Sequence, residues 1–171
     1  MACFTFCLRR KSINWENTKP FIPNIKSAKV IKVYDGDTIT IAAKVHPLDM
    51  NYYRFSVRLA HIDCPEIKSK NAYEKEYANR AKHELEKIIL NETVQLKILK
   101  SDKYGRLLAE VIYKNKSINN WMLANRLAVN YDGKKKSVDW MKEFIQDECF
   151  CQFDDFNHTS CLLYTSDAAD D

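Results

Sequence analysis

Only three glycines occur in 171 residues: Gly36, Gly105 and Gly133. Two of them lie inside polar stretches, where a positive φ or a close approach to a ligand calls for glycine. No apolar run approaches the ~18 residues that a membrane-spanning helix needs. The six cysteines do not form the pattern of a disulfide framework, which favours a reducing, intracellular setting. The opening "MACFTFCLRRK" runs apolar then basic, the reverse of a secretory signal. Acylation at Cys3 or Cys7 would give a weak membrane association, since one lipid chain anchors poorly without a second signal. No internal repeat is found. The formal net charge of +4 fits a polyanionic partner and fits an ordinary lysine-bearing surface equally well. The length suits one domain with a self-sufficient core.

What is present is a succession of short periodic segments. Residues 1–27 show no period, contain "KPFIPN", and read as an arm or linker. "AKVIKVYDGDTITIAAKV" (28–45) predicts strand, turn, strand, and "HPLDMNYY" (46–53) a loop or hairpin tip. "RFSVRLAHI" (54–62) alternates, with Phe55, Val57 and Leu59 on one face and Arg54, Ser56 and Arg58 on the other. "AYEKEYANRAKHELEKIIL" (72–90) has a helical period, with Tyr73, Tyr77, Ala81, Leu85 and Ile88 on one stripe. "TVQLKIL" and "LLAEVIY" predict two more strands, and Ser117 and Ser137 cap two shorter helices. Five strands around one good helix, followed by two short ones, suggest a small closed barrel in a 28–150 domain.

Three carboxylates are candidates for one site: Asp37 in "DGDT", and Asp63 and Glu66 in "DCPE". Hard divalent cations take oxygen ligands, carbonyls and waters included. Asp37 and Asp63 fall at the ends of neighbouring strands, and Pro65 stops the second strand and re-aims the chain toward Glu66. "YDGDT" is also simply what an Asp-Gly hairpin turn looks like. Arg58 and Arg106 supply the basic half. The planar, permanently charged guanidinium matches two phosphate oxygens, and two of them aimed at a pentacoordinate phosphorane would supply a large electrostatic term. Taken singly, Arg58 also reads as an exposed residue of a strand, and "DKYGR" as a plain hairpin loop.

"VYDGDT", "VRLAHIDCPE" and "SDKYGRLLAEV" occur in that order, with a long helix between the second and third. In this the chain resembles the thermonuclease family, the staphylococcal nuclease-like proteins, over about residues 28–131. The resemblance implies an α+β fold: an OB-type five-stranded β-barrel with about three helices. It implies a Ca²⁺-dependent endonuclease acting on DNA and RNA, preferring single strands and leaving 3′-phosphate ends, and working as a monomer. Asp37 and Asp63 would bind Ca²⁺, together with the backbone carbonyl of Cys64, which stands where the family pattern has threonine. Arg58 and Arg106 would bind phosphate and stabilise the transition state, and Glu66 would orient or deprotonate the attacking water. Lys103 and Tyr104 would contact a neighbouring phosphate, and Tyr131 falls near the position where an aromatic stacks on a base. The stretch between Asp37 and Arg58 is longer here than the family pattern, with the extra residues expected at "HPLDMNYY".

Two other functions compete. A binding module of the same fold would have lost acids or arginines, whereas all five positions are filled here. A zinc site on Cys149, Cys151, His158 and Cys161 has the wrong ligand spacing. By strand parity His61 faces away from Arg58 and reads as structural, not as a general base. Residues 151–171 read as a tail. Within them "CLLYTSDAAD" is similar to one translated frame of a widely used transposase sequencing adapter, and is expected to be foreign to the natural protein.

Overall fold

The computed structural model describes residues 12–133 and Trp140. In chain order it contains β1 (Ser27–Asp35), β2 (Thr38–Ala43), β3 (Tyr53–Leu59), β4 (Ile62–Asp63), α1 (Ala72–Ile89), β5 (Thr93–Ser101), β6 (Leu107–Tyr113), β7 (Lys116–Ser117), α2 (Ile118–Ala124) and β8 (Val129–Asn130). β1 pairs antiparallel with β2, β2 with β3, β5 with β6 and β1 with β5. The parallel pairing of β3 with β6 closes the ring. The five long strands thus form the expected OB-type barrel of an α+β domain. A parallel pair needs a long crossover, and the connection from β3 to β6 carries both α1 and β5.

Alternation along the strands fills the barrel. Val30 and Val33 on β1, Ile39 and Ile41 on β2, Val57 and Leu59 on β3, and Ala109 and Val111 on β6 are buried together. Removing that apolar area from water is the main term holding the ring closed, at roughly 25 cal/mol per Å². Helix α1 is capped by Asn71, whose side chain accepts the Tyr73 N–H, and it packs chiefly against β1. Its buried stripe is Ala78, Ala81, Leu85 and Ile89, rotated from the expected one. Tyr73 is exposed, and Tyr77 and Ile88 are half-buried at the margin. Alanines win the central places because the helix lies close to the barrel, where a tyrosine ring does not fit.

Two of the three glycines are accounted for by their positions. Gly105 has φ +80 and turns the β5–β6 loop. Gly36 has no such φ. A Cβ there would lie 2.9 Å from Cys64 Sγ and 3.0 Å from Ala81 Cβ, so the close approach is to the protein's own helix and motif, not to a ligand. Other tight turns are made without glycine: His61, Asn91, Lys114 and Asn115 all have φ between 47 and 65.

The β2–β3 loop projects Leu48, Met50 and Tyr52 into solvent, while the Asp49 carboxylate turns back to accept the His46 N–H at 2.8 Å. Pro23 and Ile25, at the end of the N-terminal arm, are buried. No helix among the described residues is long and apolar enough to cross a membrane. The helix expected from Ser137, the cysteines at 3, 7, 149, 151 and 161, His158 and the tail lie outside the described residues.

Candidate functional site

The site is built at one rim of the barrel, where β1 ends, β2 begins and β3 ends. Thr38 is paired with Arg58 across the β2–β3 ladder, and the Leu59 N–H donates to Asp37 O at 2.8 Å. That register points Arg58 at the turn carrying Asp37. Its Nη1 donates to Asp37 Oδ2, and its Nη2 donates to Asp63 Oδ1 at 2.8 Å and to Ile62 O at 3.3 Å. The Thr38 hydroxyl donates to Asp37 Oδ1 at 2.8 Å. The two carboxylates are 5% and 1% exposed and the guanidinium 13%, so three charges share one largely dry cluster.

Asp63 reaches Arg58 because the chain reverses sharply at His61, which has φ 63. β4 then pairs with β8, and Tyr131 N donates to His61 O at 2.9 Å. His61 is therefore not on a strand, as the parity reading assumed. It sits exposed in the turn, with its backbone doing the joining. The same pairing brings the Tyr131 ring over Arg58, with Cζ 5.7 Å from the ring centroid. After Pro65 the chain is held to α1: Glu66 N donates to Glu74 Oε1 at 3.2 Å, and the Ser69 hydroxyl donates to Glu74 Oε2. Glu66 itself is exposed in the cleft.

Arg106 arrives from the β5–β6 loop. Asp102 Oδ1 accepts the N–H groups of Tyr104 at 2.8 Å and Arg106 at 2.9 Å, and Oδ2 accepts Arg106 Nε at 2.7 Å. Arg106 Nη1 then donates to the Thr38 hydroxyl at 3.5 Å. Thr38 thus links the two arginines, and Tyr104 lies beside Arg106, Cζ to centroid 5.5 Å. A cleft of about 620 Å³ gathers Asp37, Arg58, Glu66, Lys103, Tyr104, Arg106 and Tyr131, with Asp63 held behind Arg58.

Charge and burial oppose each other here. Burial is the largest influence on Asp37 and raises its pKa above 3.8; Arg58 pulls it down and the charge of Asp35 pushes it up, and the net direction is upward. Burial by itself would lower the pKa of Arg58, but Asp37 and Asp63 more than offset that, and the group stays cationic. Burial, reinforced by Asp37, Asp63 and Asp35, pushes the Cys64 thiol well above its ordinary 9.0.

These facts test which metal the residues suit. Cys64 is a neutral buried thiol turned toward Gly36 and Ala81, so it offers no soft thiolate ligand. No three His, Cys, Asp or Glu side chains among the described residues converge into a metal cage. The donor set is instead two buried carboxylates that already share one cation, the Arg58 guanidinium. That suits a hard divalent ion which completes its shell with backbone carbonyls and water.

A family model described as "Staphylococcal nuclease homologue" matches residues 56–150, more than half of the chain. The chain belongs to this family. The match begins inside β3 and so spans Arg58, Asp63, Glu66 and Arg106, while Asp37 is tied to them by its bond to Arg58. An uncharacterized protein of Methanocaldococcus jannaschii is 34% identical over 123 residues, 60% of this chain and 55% of its own length. An uncharacterized endonuclease of Haemophilus influenzae is 32% identical over 105 residues, 61% of this chain and 52% of its own. Endonuclease YncB of Bacillus subtilis is 29% identical over 138 residues, 74% of this chain and 62% of its own. The chain therefore spans between half and two thirds of the length of these relatives.

This staphylococcal nuclease homologue also uses residues that the motif reading passed over. Asp35 lines the cleft and adds negative charge next to Asp37; the acid before Gly36 in "DGD" was its visible signal. Asp102 organises the Arg106 loop, as an aspartate two residues before the turn centre often does. Glu74 stands three residues after the Asn71 cap, the spacing of a capping box, but spends its carboxylate on Glu66 and Ser69. Asn119 is buried: its Oδ1 accepts the Val111 N–H at 3.0 Å, and its Nδ2 donates to Ala60 O at 2.8 Å. It holds the strand end that carries Arg58, and nothing in "SINNWMLA" marks it.

Proposed function

We propose that this chain is a nuclease that hydrolyses phosphodiester bonds in DNA and RNA with Ca²⁺ as its metal, acting as a monomer. The observation that carries the reading is the Asp37–Arg58–Asp63 cluster linked through Thr38 to Arg106, with Glu66 in the same cleft. When bound, the ion would be held by Asp37, Asp63 and the Cys64 carbonyl, and would supply fixed positive charge against a phosphate oxygen.

The chain's own residues do the rest. Glu66, exposed and on the far side of Pro65 from Asp63, takes the proton from an attacking water or aligns it. The water oxygen forms a bond to phosphorus. The bond to the 5′-oxygen breaks, and that oxygen leaves with the electron pair and is protonated, so the phosphate stays on the 3′ side. The two guanidiniums face the charge that builds on the phosphoryl oxygens, where preorganised donors are worth most. Lys103 adds a point charge for a neighbouring phosphate. The rings of Tyr104 and Tyr131, each beside an arginine, favour single strands, whose splayed bases can stack.

The deciding experiment is hydrolysis of single-stranded DNA and RNA by the full chain with Ca²⁺ or EGTA, beside Arg58→Ala and Glu66→Gln. Cleavage that needs Ca²⁺ and collapses in both variants supports the reading. Binding without cutting in the wild type would favour a binding module, against which the five filled positions speak.

A further inference from the structure

Three tyrosines line the cleft, and one of them is unlike the other two. Tyr104 and Tyr131 each sit beside an arginine. Tyr34 has neither arginine as a neighbour; it precedes Asp35, and its ring carries Lys32, with Nζ 5.9 Å from the centroid. It is 52% exposed on a strand whose Val30 and Val33 are wholly buried. The register of β1 against β2 shifts between Val33 and Asp35, so Tyr34 stands at an irregularity of the ladder. β1 pairs with β5 only over Ser27–Lys29, so the Tyr34 end of the strand has no β5 ladder beside it. Two lysines from other elements line the same cleft: Lys82 on α1 and Lys68 after the Pro65 turn. Lys82 has only a long ion pair, 3.7 Å, with Glu86, and Lys68 has none among the described residues.

A half-exposed ring in a cleft that two lysines also line is the composition of a base-stacking and phosphate-tracking position. We propose that Tyr34, with Lys82 and Lys68, forms a nucleotide-binding position in the same cleft, taking one base of a single strand by stacking and the adjoining phosphate by charge. It rests on the nucleic-acid reading of the site and adds to it a second grip. Tyr104 and Tyr131 hold the strand beside the two arginines and Tyr34 holds it beside Asp35, so the strand has a third stacking position in the same cleft.

The test is binding, read by fluorescence anisotropy in EGTA so that cutting is not required. Two eight-unit single strands are compared: thymidine, and an abasic strand with the same phosphates and no bases. Tyr34→Ala is expected to weaken the thymidine strand by about 5- to 150-fold, the range for one stacked base, and to leave the abasic strand unchanged. Tyr34→Trp restores thymidine binding, which a folding defect would not allow. Lys82→Ala weakens both strands alike. Equal weakening of both strands by Tyr34→Ala, no weakening of either, or a wild type that binds neither would each overturn the proposal. A wild type that binds, responds as expected and never cuts in Ca²⁺ would uphold the Tyr34 position and sink the nuclease reading instead.

Discussion

The two arginines of the candidate site, to which one job is assigned, sit in two kinds of place. Arg58 belongs to the barrel: it is 13% exposed, and its partners Asp37 and Asp63 come from two other segments. Arg106 belongs to a loop: it is 28% exposed, and its partner Asp102 lies four residues back in the same loop. Arg58 is positioned by strand register and cannot be moved without disturbing the fold. Arg106 is positioned by a local turn and can be loosened alone. The site therefore pairs one immovable cation with one adjustable cation.

The largest effect is expected from Arg58→Ala. It leaves two buried carboxylates facing each other without their cation. Activity should fall by ~10³-fold or more, and unfolding in EGTA should lose about 3–5 kcal/mol. Ca²⁺ should return part of that stability, which thermal denaturation with and without the ion would show. Arg106→Ala should cut activity by ~10²-fold yet change stability by less than about 1 kcal/mol. Equal stability losses in the two variants would erase the distinction.

Asp37→Asn should abolish activity while leaving the metal-free fold no less stable at neutral pH. The folded pKa of Asp37 is raised above 3.8, so the folded chain holds that proton more tightly than the unfolded chain. In EGTA, the contribution of Asp37 then strengthens the fold as pH falls from the raised value toward 3.8, and the asparagine variant should lack that slope. Asp102 has the opposite sign. Its partial burial pushes its pKa up, but the hydrogen bonds from Arg106 and Tyr104 outweigh that and hold it below 3.8. Its support for the loop is present above 3.8 and is lost as pH falls through the lower, folded value. Asp102→Asn should therefore cost activity at neutral pH through a looser Arg106, with KM rising more than kcat falls, and with little change in stability. The smallest effect is expected from His61→Gly, which relieves a left-handed backbone at φ 63. Activity and its pH profile should persist if the imidazole is structural; loss of the acidic limb of the profile would mark it as a general base.

The gathering of the candidate site residues was more legible in the sequence than the details of the shape that carries them. Asp37, Arg58, Asp63, Glu66 and Arg106 stand in compact motifs, because each must sit at a strand end or turn with a fixed offset from its neighbours. The barrel followed from alternation in "TITI" and "RFSVRL", where one buried face imposes period two. The α1 stripe was misplaced because aromatic residues outweighed alanines in the reading, while the close helix–barrel contact at Ala81 favours small ones. β4 and β8 escaped notice because two-residue strands carry no period. Glu74 and Asn119 escaped for another reason: each holds a backbone group, Glu66 N–H for Glu74 and Val111 N–H and Ala60 O for Asn119, and a backbone group leaves no letter behind.

Gly36 has no room for one more carbon atom, because Cys64 and Ala81 already stand against it. Between them they belong to the three pieces that make the site: the turn of Asp37, the segment from Asp63 to Glu66, and the helix beneath both. For a lineage drifting by single substitutions this contact is a lock with three tumblers. Growth at position 36 is open only to a sequence that has already made room at 64 or 81. Homologues that enlarge position 36 should therefore carry a smaller residue at 64 or 81, and laboratory evolution of this site should find paired changes there before single ones.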